Sequence, residues 1–201
     1  MKASEIAYEL KTHAPFTSFG AVTGIVIMAL FVQFQVPRGV ADTLFWVFHP
    51  LHVLLSALVT TSMYRIHTKA SIWQVALVGY MGSVGIATLS DSLIPFLGEW
   101  LLDLPNRGVH IGFIEKWWLV NPLAFAGIAL GYFISHTKIA HGGHVLISTW
   151  ASIFHITMAL GTSLDVATAI LIAAFLFLAV WVPCCTSDII FPLLWVKERE
   201  H

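Results

Sequence analysis

The 201-residue chain is 58% hydrophobic and only 10% charged, with a mean hydropathy of +0.83. Soluble domains carry roughly 25% charged residues, so a soluble globular fold is excluded. A formal net charge of −1 without any basic tract gives no electrostatic footprint for nucleic acid, and two adjacent cysteines exclude a disulfide framework.

The composition predicts an all-α polytopic integral membrane protein. Met1–Glu9 mixes charges of both signs and lacks a small-residue cleavage pattern, so residues 1–15 read as a cytoplasmic N-terminal segment and not as a secretory signal. About 20 apolar residues span a hydrocarbon core in a helix. Phe16–Val36 meets that length and ends at Pro37-Arg38-Gly39. A second span is expected over Thr43–Tyr64, with Asp42 as its N-cap, and a basic turn follows at Arg65, His67 and Lys69. The third runs from Ser71 to about Leu93.

Residues 98–116 form the longest polar stretch, with Glu99, Asp103, Arg107, His110 and Glu115, and are expected to hold a short interfacial helix. The fourth span is Trp117–Ser135, opened by two interfacial tryptophans. His136–Gly143 reads as a turn, His144–Leu160 as the fifth span, and Asp165 to about Trp195 as the sixth, broken near Pro183. In this topology Lys2, Lys11, Arg65, Lys69, Lys138, Lys197 and Arg199 share one side, against Arg38, Arg107 and Lys116 on the other. The excess of positive charge places both termini in the cytoplasm.

One pattern occurs twice. His49-Pro50-Leu51-His52-Val53-Leu54-Leu55-Ser56 matches His141-Gly142-Gly143-His144-Val145-Leu146-Ile147-Ser148. Downstream of each copy comes Ser-Asp-x-x-x-Pro, at Ser90-Asp91 to Pro95 and at Ser187-Asp188 to Pro192. Collinear matches at nearly one offset indicate a duplicated unit. Each unit holds three spans, so the second enters the membrane upside down. The expected fold is six transmembrane helices as a 3+3 inverted-topology repeat: repeat 1 over 16–97, an extracytoplasmic loop over 98–116, repeat 2 over 117–195 and a cytoplasmic tail over 196–201. Transporters built from inverted repeats bind substrate between the halves.

The repeated residues are metal ligands by type. His49, His52 and Asp91 are expected on the outer side, with His110 lent by the second repeat. His141, His144 and Asp188 are expected on the inner side, with His13 lent by the first. Imidazoles and a carboxylate suit Zn(II), Fe(II), Mn(II) or Ni(II). His49 and His52, three apart, share a helix face. Polar stripes continue from each pair: His52, Ser56 and Thr60 on one span, and His144, Ser148, Ser152 and His155 on another, expected to line a transport path. The plainer readings are interfacial histidines, capping aspartates, hydroxyls that bond neighbouring helices, and a buried His155 bonded to a helix carbonyl. Cys184-Cys185 reads either as two small hydrophobes or as a soft-metal relay. Glu99, Asp103 and Glu115 read as a solvated face rather than a cation-collecting mouth. Gly79, Gly82 and Gly85 form a small-residue face for packing one repeat on the other or for a homodimer.

The function expected from these residues is membrane transport of a divalent transition-metal cation through two pseudo-symmetric His/Asp sites. Protons are the expected coupling partner, because imidazole binds metal only when neutral. A haem-b or metal-binding redox protein, with His52, His144 and His155 as axial candidates, and an accessory subunit of a membrane complex are the two rivals. Beyond the lipid bilayer, the metal ion and protons, the partner left open is a second copy of the chain in a homodimer.

Overall fold

The computed structural model describes residues 3–134, 138–161, 163–185 and 190–195, without the side chains of 3–10, 12, 13, 138–141 and 185. Among the described residues the chain is helical with no strand. Its long helices are α1 (Ala3–Gln33), α2 (Arg38–His67), α3 (Ile72–Leu101), α4 (Trp117–Phe133), α5 (Lys138–Ala159) and α6 (Val166–Cys185).

Four helical stretches are long and apolar enough to cross a membrane: Ala14–Gln33, Arg38–His67, Ile72–Leu101 and Val166–Cys184. Their outward faces carry the bulky apolar side chains that a water-soluble protein would bury, among them Trp73, Leu77, Ile170, Leu178 and Val182. Apolar surface on that scale fits contact with lipid and not with water. α4 is shorter but apolar, with Trp117 and Trp118 exposed at one end and Phe133 at the other.

Helix boundaries differ from the expected ones for local reasons. α2 starts directly after Pro37, so Asp42 lies inside its second turn, where it accepts a hydrogen bond from Trp46 Nε1 (3.2 Å) instead of capping. Ser71 caps α3 through a reciprocal pair with Gln74: Ser71 Oγ accepts from Gln74 N, and Gln74 Oε1 accepts from Ser71 N. α3 continues past Asp91 and Pro95 to Leu101. Two wide π-helical turns, Met81–Gly85 and Leu89–Leu93, interrupt it, the second directly before Pro95. Proline withholds one helical donor, and wide turns of this kind accumulate at functional positions.

α5 begins at Lys138, so Gly142 and Gly143 are helical rather than part of a turn. Asp165 caps α6 by accepting from the Thr168 hydroxyl and N–H (2.5 and 3.0 Å), which hold its carboxyl below the usual range. The helix carries on for two residues beyond Pro183. The polar stretch contains the short helix Gly112–Glu115.

The two ends of the bundle are distinguishable. Asn106 joins three connections at one end: its N and Nδ2 donate to the carbonyls of Ala159 and Leu160 (both 3.1 Å), and its carbonyl accepts from Arg38. At the other end Ser62 Oγ donates to the Ile134 carbonyl (2.7 Å), and Arg65 donates to the Tyr132 carbonyl while lying over the Tyr132 ring. The helices at the centre are α2 and α5, with α3 against both. Most of the buried polar residues lie on these three helices.

Candidate metal centre in the bundle core

Four elements bring the site together. α2 supplies His49 and His52 one turn apart. The π turn of α3 supplies Ser90, Asp91 and Ser92, α5 supplies His144, Ser148 and Ser152, and α6 supplies Cys184; all are buried. In a helix three consecutive side chains fan over about 200°. Ser90, Asp91 and Ser92 are nevertheless all enclosed, because α5 and α6 pack on that turn and α2 reaches it through His49 and His52.

Asp91 is the hub. Its Oδ2 lies 2.9 Å from His49 Nδ1 and 2.8 Å from His52 Nδ1. Its Oδ1 accepts from Ser90 Oγ and Ser148 Oγ, both at 2.7 Å. A carboxylate offers about four lone-pair sites, and these contacts fill them. An ionised carboxylate only accepts, so both imidazoles donate from Nδ1 and His52 turns Nε2 away from Asp91. Ser152 Oγ donates to the Ser90 carbonyl (2.9 Å), tying α5 to the π turn.

What His52 Nε2 faces is a cluster. Cys184 Sγ lies 3.9 Å from it and 3.6 Å from Ser148 Oγ, and the His52 and His144 rings stack at 5.7 Å between centroids. One ligand atom each from His52, His144 and Cys184 lie within 4.8 Å of one another. With bonds of about 2.0 Å to nitrogen and 2.3 Å to sulfur, a tetrahedral Zn(II) site would hold N and S roughly 3.5 Å apart, so small side-chain shifts close this group on an ion. Asp91 then stands in the outer shell, bonded to the far nitrogen of a ligating imidazole, an arrangement that fixes the tautomer and raises ligand basicity.

The expected residues are therefore regrouped. His49, His52 and Asp91 come together, but Asp91 is occupied as an acceptor and serves His52 from behind. His52 and His144, expected at opposite membrane faces, meet across the α2–α5 contact, because the two helices cross with their polar stripes facing inward. Ser56, Thr60, Ser148, Ser152 and His155 are all buried on those stripes. His110 does not join His49 and His52. Its Nδ1 pairs with Glu115 Oε2 (3.1 Å) at the bundle end, and its ring lies 5.4 Å from that of His155. The side chains of His13, His141 and Cys185, and Asp188 altogether, lie outside the described residues.

Glu99 overturns the solvated-face expectation. It is buried and paired with His155 Nδ1 at 2.6 Å, with its other oxygen accepting from Gly108 N (3.2 Å). The signal was present in the sequence: Asp91, Pro95 and Glu99 are spaced at four and so share one helix face. Asp103, by contrast, is exposed and pairs with Arg107. No family model matches the chain, and no curated protein or solved structure is a significant match to it.

Proposed function

We propose that the protein transports a divalent transition-metal cation across a membrane and that His52, His144 and Cys184 form its binding centre. The observation that carries this reading is the convergence of two imidazoles and a thiol in the buried core, with Asp91 braced behind one of them. Imidazole and thiolate donors favour borderline and soft ions over Mg(II) or Ca(II). Zn(II), Ni(II) and Fe(II) fit better than Mn(II), which prefers oxygen. Ionisable residues in a membrane-spanning core are costly to insert and mark ion paths.

The reading includes six spans in two inverted units. Its support is a pattern of exchanged packing. α1 lies on α5 through Gly20 and Gly24, α4 lies on α2 through Gly127 and Gly131, and α2 packs on α5. In this reading one central site between the proposed units replaces the two separate stations, and rocking of the units would open it to either side in turn. Both termini belong on the cytoplasmic side in this scheme.

The test is the metal content and transport of the full chain, purified in mild detergent without chelator or a histidine tag. The expected result is a colourless protein binding about one zinc ion per chain, with saturable uptake into proteoliposomes lost in His52→Ala, His144→Ala and Cys184→Ser. Folded protein that takes up none of zinc, nickel, iron or manganese, or transport that survives all three substitutions, rejects the proposal. A sharp absorption band near about 400 nm, expected of a His-ligated haem, replaces it with the redox alternative.

A further inference from the structure

The connection between α3 and α4 is fastened to the bundle by side chains that a membrane protein buries only at a cost. Glu99 and His155 are enclosed in the core and paired at 2.6 Å, and neither belongs to the metal centre. A carboxylate and an imidazole are costly to place there, so they are kept for what they hold. Glu99 Oε2 accepts from Gly108 N (3.2 Å). His155 donates to Glu99 from Nδ1 and accepts at Nε2 from Ser92 Oγ over a long 3.5 Å contact. Ser92 Oγ in turn accepts from His110 N (3.1 Å). Glu99, His155 and Ser92 thus form one clasp on α3 and α5, and it receives two backbone amides of the connection. Asn106 is a further fastening, donating from N and Nδ2 to the carbonyls at the end of α5.

The fastened segment covers the brace of the metal centre. Gly112 is buried against the edge of His49, where an added Cβ would stand 2.7 Å from His49 Cδ2. His49 bonds Asp91, Asp91 bonds His52, and His52 faces His144 and Cys184. Just past Gly112, Ile114 and Glu115 are exposed. The layer over His49 on this side is therefore a single thickness of chain.

This layer has little structure of its own. Residues 104–111 contain no helix, so no helical ladder holds them down. Segments of that kind open at a smaller free-energy cost than the helices around them. Both ends are pivots. Asp103 takes the left-handed conformation (φ 51°) after α3, and Lys116 (φ −121°, ψ 48°) separates the short helix Gly112–Glu115 from α4, with its Nζ 4.9 Å over the Trp46 ring. Ser92 stands on the same π turn as Ser90 and Asp91, so a shift of that turn is felt at the metal centre and at the connection together.

Resting on the metal-transport reading, we propose that residues 104–113 are the gate of the metal centre on this side, pivoting between Asp103 and Lys116 and caught shut by Ser92, Glu99 and Asn106. The structure holds the gate closed. When it lifts, Gly112 leaves His49, that ring loses the wall holding it over Asp91, and the way to His52 and Cys184 lies open from the 102–116 end.

The experiment reads access to Cys184. The full chain carrying Cys185→Ser keeps Cys184 as its one thiol. In sealed vesicles of one orientation it is treated with a membrane-impermeant methanethiosulfonate from either face, with and without zinc chloride, and modification is followed by mass spectrometry. Ser92→Ala and, as a second variant, Asn106→Ala should each speed modification about fivefold, the shift in an opening equilibrium when one hydrogen bond is lost. The gain should be confined to reagent added on the face where the 102–116 connection lies. Unchanged rates in both variants, or rates that rise equally from both faces, overturn the gate while leaving the metal centre standing. Zinc should slow modification in the protein without gate substitutions. Modification that zinc does not slow there overturns the metal centre, and the gate with it.

Discussion

Gly112 is where a single added methyl group tests the His49 arrangement. A Cβ at this position would run into the Nε2 edge of His49 and meet Val120 Cγ2 at 3.3 Å. His49 cannot yield cheaply, because Asp91 holds its Nδ1 and Phe45 covers its face. Gly112→Ala should therefore lower stability by about 1–3 kcal/mol, the usual cost of overfilling a packed site, read from denaturant unfolding in detergent. In His49→Ala the obstacle is gone, so the two changes should couple by at least about 0.5 kcal/mol in a double-mutant cycle; strict additivity would place His49 away from Gly112. None of this is legible in the sequence, where Gly112 is one more glycine in a polar loop. The pairing of His49 with His52 is legible, since a spacing of three puts both on one face. Asp91 as their common acceptor is legible only as proximity: the expected topology puts the three residues at one membrane face but does not say which lone pairs are filled. Cys184 was harder still, because it sits outside the duplicated pattern and reaches the centre only through the packing of α6.

At the scale of helices, two Gly-x-x-x-Gly pairs decide how closely the bundle closes. Gly20 and Gly24 of α1 receive Thr149 and Ile153 of α5, and Gly127 and Gly131 of α4 lie on the Leu54 and Leu58 carbonyls of α2. Small residues at this spacing let membrane helices approach to backbone contact. The two pairs differ in what they touch, and that orders the cost of substitution. Gly127→Ala and Gly131→Ala push a methyl group against backbone, which moves only by separating α4 from α2, for an expected loss of about 1–3 kcal/mol. Gly24→Ala meets only the side chain of Ile153 at 3.3 Å and should cost less. Gly85, in the same helix as the tightly packed Gly79 and Gly82, has nothing within 4 Å of its Cβ position. Gly85→Ala should be neutral or stabilising by up to about 1 kcal/mol through helix propensity. Unfolding midpoints of these variants in mixed detergent micelles check the order; a Gly85→Ala loss matching that of Gly131→Ala would reject it. The small-residue face at 79, 82 and 85 was readable from spacing, but spacing does not reveal that Gly85 turns away after the π turn at 81–85. Helix ends were readable to within a turn or so where a cap marks them, as at Ser71 and Asp165. They were missed where burial overrides a breaker, as at Pro95, beyond which α3 runs on to Leu101 because Pro95 and Glu99 are buried in the bundle.

At the scale of the whole molecule, hydropathy and burial pull apart. Among the described residues α5 is largely enclosed, yet its polar stripe leaves it less apolar than α6, most of whose described surface faces outward. A helix shielded by its neighbours need not be apolar all round, since it meets lipid over little of its surface. α4, at 17 residues, is about 26 Å long at 1.5 Å per residue. That is close to a hydrocarbon thickness of about 30 Å, with exposed Trp117, Trp118 and Phe133 at its two ends as interfacial anchors. If α3 and α4 each cross once, the connection after α3 and the turn before it must lie on opposite membrane faces. In a cysteine-free background, Arg107→Cys and Asp165→Cys should react with a membrane-impermeant maleimide from the same face of sealed vesicles. Lys69→Cys should react from the other face only. The Asn106 contacts that bind the 102–116 connection to the start of α2 and the end of α5 require the first pair to behave alike whatever the orientation. In the proposed orientation the excess of lysine and arginine on the opposite side makes the Lys69 face the cytoplasmic one. Labelling of Lys69→Cys and Arg107→Cys from one face would mean that α3 does not cross. The metal centre would then be open to one side only, and a transporter with access from both faces would have no path.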